Sequence, residues 1–574
     1  MTETIFIGVA WPYANGPLHQ GQMVGSFLPA DCFARYHRQS GDRVLMVSGS
    51  DQHGAPVTIR AEAEGKTPQE VVDGFHTSFL ESLDWLGISM DIFTTTGTEH
   101  HRETVQRIFL KLLEQGDIYA NTMTMLYCPN DNRFLPDRYV EGTCPNCGYE
   151  SARGDECEQC GRALDAMELI DPRCKLCGTT PGPRETEHYF LRLSAYNERL
   201  RAWVSKQSHW RKHVMNFTAG MLDEGLRDRA ITRDLEWGVP LPTEELGAGK
   251  RIYVWFENVI GYLSAAQEWS QQRGEPDAWR DFWQNEAARS YYFIGKDNIF
   301  FHTLSWPATI MAYGDGASDG LGRGYGKGKP LNLPYDVPAN HFNNVGGRKA
   351  STTRQTAVFI PDVMGRFEPD ALRYYLCATM PETADSDFTW QDFVARTNNE
   401  LVATWGNLAH RVLTFTYRNF EGKVPEPGAL DSASEALLSS VEAMLRETGA
   451  LLGGCHFRAA LSAAMAVAQE ANKYLDDTAP WKTLANDREA AARSLYTALC
   501  AINGLKTAFS PFVPFSSQRL HGYLGFDTPL ENDGWSLVRL TPGQQLHEPK
   551  PLFTKLEPEI AEQEEERLTA HAAL

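Results

Sequence analysis

Val9-Ala10-Trp11-Pro12-Tyr13-Ala14-Asn15-Gly16-Pro17-Leu18-His19-Gln20-Gly21-Gln22 is the stretch on which the fold turns. The run before it, Ile5-Phe6-Ile7-Gly8-Val9, is apolar throughout and reads as a buried parallel strand. After it, Met23, Val24, Phe27, Leu28 and Ala34 recur at helical spacing. Strand, tight turn and helix make the first unit of a nucleotide-binding sheet. Glycine at such a turn lets a ligand approach the backbone, and the start of the helix offers unpaired N–H groups and a partial positive charge to phosphate. His19 stands where its side chain could donate to that phosphate.

A second unit follows. Val44 to Val47 reads as another buried strand, and Ser50, Asp51 and His53 emerge at its C-terminal end, where open α/β sheets place their ligands. Asp51 is placed to hold an ammonium group. Residues 100 to 120 read as a helix.

Bulk properties bound the possibilities. A chain of 574 residues has room for roughly three or four domains. Hydrophobic content of 42% and charged content of 22% are ordinary for a globular protein. No apolar run approaches the ~20 residues of a membrane helix, and Met1-Thr2-Glu3-Thr4 lacks the basic start of a signal peptide, so the expected location is cytoplasmic with no membrane partner. Fifty-four basic against 74 acidic residues give a formal charge of −20. That argues against non-specific coating of nucleic acid, while a local basic stripe could still supply phosphate contacts.

Of the 11 cysteines, seven crowd between Cys128 and Cys177. Cys144-x2-Cys147 with Cys157-x2-Cys160 forms two knuckles whose four thiolates suit tetrahedral zinc. A second set joins Cys174-x2-Cys177 to Cys128 and Asp131, so its fourth ligand is an aspartate. Carboxylate oxygen ligates zinc, and this site either holds the metal through three sulfurs and one oxygen, binds it weakly or stands empty. Neither set leaves an open position for a reactive water, so the zinc is expected to be structural. The scattered Cys32, Cys377, Cys455 and Cys500 read as buried small hydrophobes.

The opening stretch resembles the His-x-Gly-His signature of class I aminoacyl-tRNA synthetases, and Pro12-Tyr13-Ala14-Asn15-Gly16 resembles the methionyl-tRNA synthetase family in that class. The paired knuckles resemble the connective insertion of its archaeal type. Tyr253 to Tyr262, Phe293 to His302, Gly406 to Arg411 and Asn472 to Trp481 are similar to later family elements, in the family's order. The resemblance implies an α/β fold with a Rossmann-type parallel sheet, a zinc-knuckle connective insertion and a C-terminal α-helical bundle of the anticodon-binding type. It implies catalytic roles for His19, Gln22, Lys349, Ser351 and Thr352. ATP, with Mg2+, would lie against Asn15, Gly16, His19, Gly21, Gln22, Gly295 and Lys349. An amino acid would meet Ala10, Trp11, Tyr13, Asp51, Trp255, Asn258, Tyr262 and His302. Asn407, Arg411 and Trp481 would read a tRNA anticodon, since a tryptophan after proline at a helix end can stack on an unpaired base.

The implied domains are 1–120 and 230–345 for the two halves of the catalytic fold and 121–229 for the insertion. A stem-contact region at 346–395, a helical domain at 396–545 and an acidic tail at 546–574, either a terminal helix or frayed, complete the chain. Gly314 to Lys329, dominated by glycine, reads as a flexible surface insertion.

Several positions depart from the family pattern. Gln22 replaces the last histidine of the signature, Gln52 replaces a glutamate, and Thr352 replaces the second lysine of a Lys-Met-Ser-Lys-Ser loop. Charge neutralisation of leaving pyrophosphate then falls to Arg348, Lys349 or Arg354. Trp11 stands for leucine and Glu257-Asn258-Val259 for Asp-Ala-Pro, which suggests a smaller or more polar amino acid than methionine. The leading expectation is an ATP-dependent ligase that forms an aminoacyl adenylate and passes the acyl group to a hydroxyl, nominally of tRNA. The alternatives are a paralogue serving a small-molecule acceptor and an inactive relic that binds tRNA or an amino acid.

Overall fold

The computed structural model describes residues 2–154, 157, 159–160, 164–247, 249–314, 331–349 and 357–573. Ser351, Thr352 and residues 315–330 lie outside the described residues, and Lys349 is described in its backbone alone.

Strands β1 (Thr4–Val9), β2 (Arg43–Ser50), β3 (Ile92–Thr95), β4 (Arg289–Gly295) and β5 (Ala339–Asn340) form one parallel sheet in the order β5-β4-β1-β2-β3. Ile7 sits between Tyr291 and Met46 in that register. Ile5, Phe6, Ile7 and Val9 are fully buried, which is why β1 has no polar alternation. The chain leaves β1 for β2 on one side and returns to β4 on the other, so the crevice beyond the C-terminal ends of β1 and β4 is the switch point where such sheets bind ligands.

The helix expected after the opening stretch is interrupted. A short turn at Gln20–Gln22 passes into a π-helical segment, Met23–Phe27, before helix α1 (Leu28–Gln39) runs regularly. Asn340 Nδ2 donates to Val24 O at 2.6 Å inside that segment, satisfying a carbonyl at the irregular turn.

In the insertion, Ile118–Cys128 pairs antiparallel with Gly182–Leu191, from Ile118 opposite Leu191 to Tyr127 opposite Gly182, and this long ribbon carries the cysteine knuckles. Helix α2 (Val254–Gln272) then packs against the sheet. Beyond β5 come α3 (Pro369–Ala378), a π-helical stretch at Thr397–Gly406 continuing into α4 (Asn407–Asn419), and the long helices α5 (Ser432–Gly453), α6 (Phe457–Thr478) and α7 (Arg488–Phe509). The acidic tail ends in helix α8 (Glu559–Ala573), docked through buried Ala561 and the Arg366–Glu564 ion pair. Among the described residues no helix is long and apolar enough to cross a membrane.

Catalytic sheet and bundle meet at a buried ion pair. Arg373 on α3 donates through Nη2 to Asp31 Oδ2 on α1 at 2.6 Å, and both side chains are fully buried. Its remaining N–H groups go to the carbonyls of Leu86, Pro511 and Phe512. Burial would push the Asp31 carboxyl up, but Arg35, Arg373 and the Ser89 hydroxyl and N–H hold it well below the usual carboxylate range. A folded-state pKa below the unfolded one means this stabilisation is present above about pH 4 and is lost as the pH falls. Replacing Arg373 with alanine leaves buried Asp31 with Arg35 and Ser89 but without its buried partner, and strips the carbonyls of Leu86, Pro511 and Phe512 of their donor. The expected cost is about 3–5 kcal/mol, read as a lowered denaturant midpoint; an unchanged midpoint would show the pair to be dispensable.

Candidate active site

The turn after β1 is closed by its own side chains. His19 caps the helix start, its Nδ1 accepting from Gly21 N at 3.1 Å, while Gln22 Oε1 accepts from His19 N at 3.0 Å. Because Nδ1 accepts, the neutral ring carries its hydrogen on Nε2, the donor a phosphate would meet. Gln22 therefore has a structural task where a histidine was expected. Gly16 is buried in the same turn, Asn15 is half-buried, and Gly295 ends β4 across the crevice. A side chain at Gly295 would come within 2.7 Å of Asp297 Oδ1.

Ala10 continues the sheet, donating to Phe293 O at 3.0 Å. Asp51 is stitched to the opening loop on both sides: its N–H donates to Pro12 O and its carbonyl accepts from Ala14 N, each at 2.8 Å. Its carboxylate, 1% exposed, accepts from Asn258 Nδ2 at 2.8 Å and from His53 N at 3.3 Å. Burial, then the nearby Glu257 charge, push the Asp51 carboxyl well above its usual range. An arriving ammonium would supply the charge that this carboxylate lacks.

Beneath it lies a second, fully buried carboxylate that the sequence reading treated only as part of a substituted pocket wall. Glu257 on α2 is held by His53 Nδ1 at 3.0 and 3.1 Å and faces His101 Nε2 at 3.5 Å. Burial alone would lower the His53 imidazole, but the Glu257 carboxylate and its hydrogen bond hold it above its ordinary value. Burial would likewise raise Glu257, and His53 and His101 together keep it low. The signal available in sequence was an acid inside the apolar helix run Val254 to Tyr262.

Aromatic rings pack around these residues. The Trp11 indole, 7% exposed, packs edge-on to Tyr262 at 6.5 Å between centroids. It is seated over two glycines: a Cβ at Gly49 would stand 2.4 Å from Trp11 Cζ3, and one at Gly261 would stand 3.0 Å from Cζ2. Neither glycine was singled out from sequence. Tyr262 OH lies 2.8 Å from His302 Nε2, and His302 Nδ1 lies 2.9 Å from Asn298 O. A carbonyl only accepts, so Nδ1 carries the hydrogen, Nε2 accepts and the tyrosine donates. Burial pushes His302 down to about 4, keeping it neutral. At the mouth, Tyr13 meets Trp255 edge-on at 5.8 Å and Trp255 stacks on Phe301 at 4.6 Å.

The other predicted residues lie elsewhere. In the cysteine region the ligand atoms of Cys144, Cys147, Cys157 and Cys160 lie within 4.8 Å of one another, as do those of Cys128, Asp131, Cys174 and Cys177. Sulfur pairs at 3.9 and 3.6 Å in the first set match the roughly 3.8 Å between sulfurs on a tetrahedral zinc. Asp131 Oδ2 approaches Cys174 Sγ at 3.0 Å and Cys128 Sγ at 3.3 Å, so the carboxylate takes the fourth corner of the second set. In the bundle, Arg411 lies 4.7 Å over the Trp481 ring, with Asn472 and Asp476 beside its guanidinium and Asn407 exposed one turn away. A parallel sheet, a side-chain-capped turn after its first strand and a buried carboxylate beside that turn are the arrangement expected of a class I synthetase.

The family described as tRNA synthetases class I (M) matches residues 5–413, and the anticodon binding domain of methionyl tRNA ligase matches residues 424–573. The methionine--tRNA ligase of Dehalococcoides mccartyi is 55% identical over 568 residues, covering 99% of this chain and 100% of that one. That of Thermomicrobium roseum is 50% identical over 598 residues, covering both chains fully. The solved Mycobacterium tuberculosis methionyl-tRNA synthetase in complex with methionyl-adenylate superposes with a TM-score of 0.78 at 25% identity, covering 96% of this chain and all of that one. The chain belongs to the methionyl-tRNA synthetase family.

A Gly261→Ala substitution tests the seat of Trp11. The added methyl would stand 3.0 Å from Trp11 Cζ2 and 3.1 Å from Cε2, so the indole must give way. We expect a rise of about tenfold or more in the KM for the amino acid with the KM for ATP unchanged; equal changes in both would show that Trp11 does not border the amino-acid pocket.

Proposed function

We propose that the protein activates methionine with ATP and transfers it to tRNA. The observation that carries this reading is the buried Asp51 carboxylate, fixed between the opening loop that carries Trp11 and Tyr13 and Asn258 of the helix that carries Trp255 and Tyr262. Thioether packs favourably against aromatic rings, and Trp11, Tyr262 and Trp255 supply them.

In the first step a methionine carboxylate oxygen attacks the α-phosphorus of ATP. The bond from that phosphorus to the bridging oxygen breaks, and pyrophosphate leaves with Mg2+. Asp51 holds the ammonium, the His19 Nε2–H and the helix start meet the phosphates, and Arg348, Lys349 or Arg354 neutralises the departing charge. In the second step a ribose hydroxyl of the tRNA attacks the acyl carbon and AMP leaves. Arg411 and Trp481 take the anticodon at the far end of the bundle. Zinc bound by the two cysteine sets would rigidify the insertion and take no part in the chemistry.

The case for a smaller or more polar amino acid rested on Trp11 and Asn258, and each finds its complement inside the protein. Gly49 and Gly261 make room for the indole, and the Asn258 amide donates to Asp51. The named activity of the full-length relatives points the same way.

Methionine-dependent exchange of labelled pyrophosphate into ATP is the direct assay. We expect exchange with methionine and not with serine or alanine; its absence with every amino acid would favour the relic. Trp481→Ala should cut tRNA charging by about tenfold or more and leave exchange intact, and parallel loss of both would remove the anticodon assignment. The purified protein is expected to carry two zinc ions, with Asp131→Ala lowering the content measured by atomic absorption to one. Two ions retained in that variant would exclude Asp131 as a ligand.

A further inference from the structure

Helix α6 links the two ends of the molecule. Its 22 residues span about 33 Å. At its C-terminal end Asn472 and Asp476 flank the Arg411 guanidinium, and the chain turns at Ala479, in the left-handed region at φ +41°, into Pro480 and Trp481. Its N-terminal end stands on the catalytic fold. Phe457, its first residue, is fully buried against Phe293 of β4, with 6.2 Å between ring centroids. Glu382 Oε1 accepts from Arg458 N at 2.9 Å, placing a carboxylate at the positive end of the helix.

One side chain ties this foot to the active-site helix. Arg211 donates through Nη2 to Cys455 O, in the turn that enters α6, at 2.9 Å. Through Nη1 it donates to Ala339 O at 2.8 Å and to Asn340 Oδ1. The other face of that asparagine amide donates to Val24 O in the π-helical segment, which directly follows the His19 to Gln22 cap. Cys455 itself is held at φ +57°, a conformation a cysteine adopts only under constraint. A strained turn, a rigid helix and an irregular segment beside the phosphate turn are thus joined through one guanidinium.

We propose that α6 is the rod through which anticodon engagement reaches the active site, and that Arg211 is the positioning residue coupling its foot to the segment behind His19. This rests on the proposed function and specifies how its two sites communicate. The hydrogen bonds of Arg211 go to neither the His19 to Gln22 turn nor Arg411 and Trp481, so it acts on the relation between the two sites.

The test compares charging kinetics of the wild-type and Arg211→Gln proteins, each with methionine tRNA carrying its own anticodon and with the same tRNA changed at one anticodon base. In the wild type the base change is expected to lower kcat by about tenfold or more. In Arg211→Gln that kcat ratio should shrink to within about twofold, while the ratio of KM values stays, because Arg411 and Trp481 are untouched. Arg211→Lys, which retains a single donor group, should give an intermediate ratio, and it carries the same test if Arg211→Gln does not melt cooperatively. Equal losses of kcat with both tRNAs would make Arg211 merely structural and overturn the inference. Wild-type protein without methionine-dependent pyrophosphate exchange would overturn the proposed function and this coupling together; exchange present with the kcat ratio retained in both variants overturns the coupling alone.

Discussion

The buried pair of Arg373 and Asp31 constrains everything else in this molecule. An ion pair sealed from water is stabilising only when its remaining hydrogen-bonding capacity is met. Here the carbonyls of Leu86, Pro511 and Phe512 meet it, and Ser89 N–H and Oγ complete Asp31. The pair itself joins α1 to α3 of the stem-contact region, and its partners come from the segment leading into β3 and from the turn after α7 in the bundle. The pair therefore fixes three units whose sequences are hundreds of residues apart, and it fixes α1, whose N-terminal approach is the phosphate turn. Cys32 and Cys377, fully buried and 3.9 Å apart between sulfurs, pack beside it on the same two helices.

The proposed amino-acid site is built on the same principle at smaller scale. Two carboxylates, Asp51 and Glu257, are buried on neighbouring elements, and two like charges so placed would be untenable alone. His53 and His101 compensate Glu257, and Asn258 hydrogen-bonds Asp51 without neutralising it. Glu257 is answered within the fold, and in the proposed function Asp51 is the carboxylate left for an incoming ammonium. Preorganisation of this kind is what lets a site catalyse by positioning and charge stabilisation with no covalent intermediate on the protein.

Substitutions at the signature positions acquire a different meaning in this setting. Gln22 closes the turn around His19 by accepting its backbone N–H. Trp11 is matched by missing side chains at Gly49 and Gly261. The Gln52 side chain donates through Nε2 to Ser50 Oγ at 3.4 Å, while its backbone N–H donates to Thr96 Oγ1 and its backbone carbonyl accepts from Trp237 Nε1. The partners of Trp11 and Asn258 are distant in sequence, while those of the Gln22 and Gln52 side chains lie within three residues, as expected when a core is repacked around a retained chemistry.

Much was legible in one dimension because its physics is local. The all-apolar run of β1, the glycines and histidine of the phosphate turn and the paired cysteines each state their structure within a few residues. So did the helical spacing of Leu401, Trp405, Leu408 and Val412, which lie buried together in the bundle. The π-helical segments at 23–27 and 397–406 were not legible, since their extra residue per turn is stabilised by partners such as Asn340 and Asn472, remote in the chain. Nor was the pairing of Glu257 with His53, 204 positions away. Sequence alone determined the elements, the metal-ligand spacing and the family likeness, because those depend on neighbours along the backbone. Tertiary structure alone decided which charges are answered inside the fold and how the indole of Trp11 is housed, because burial and pairing depend on residues brought together from opposite ends of the chain.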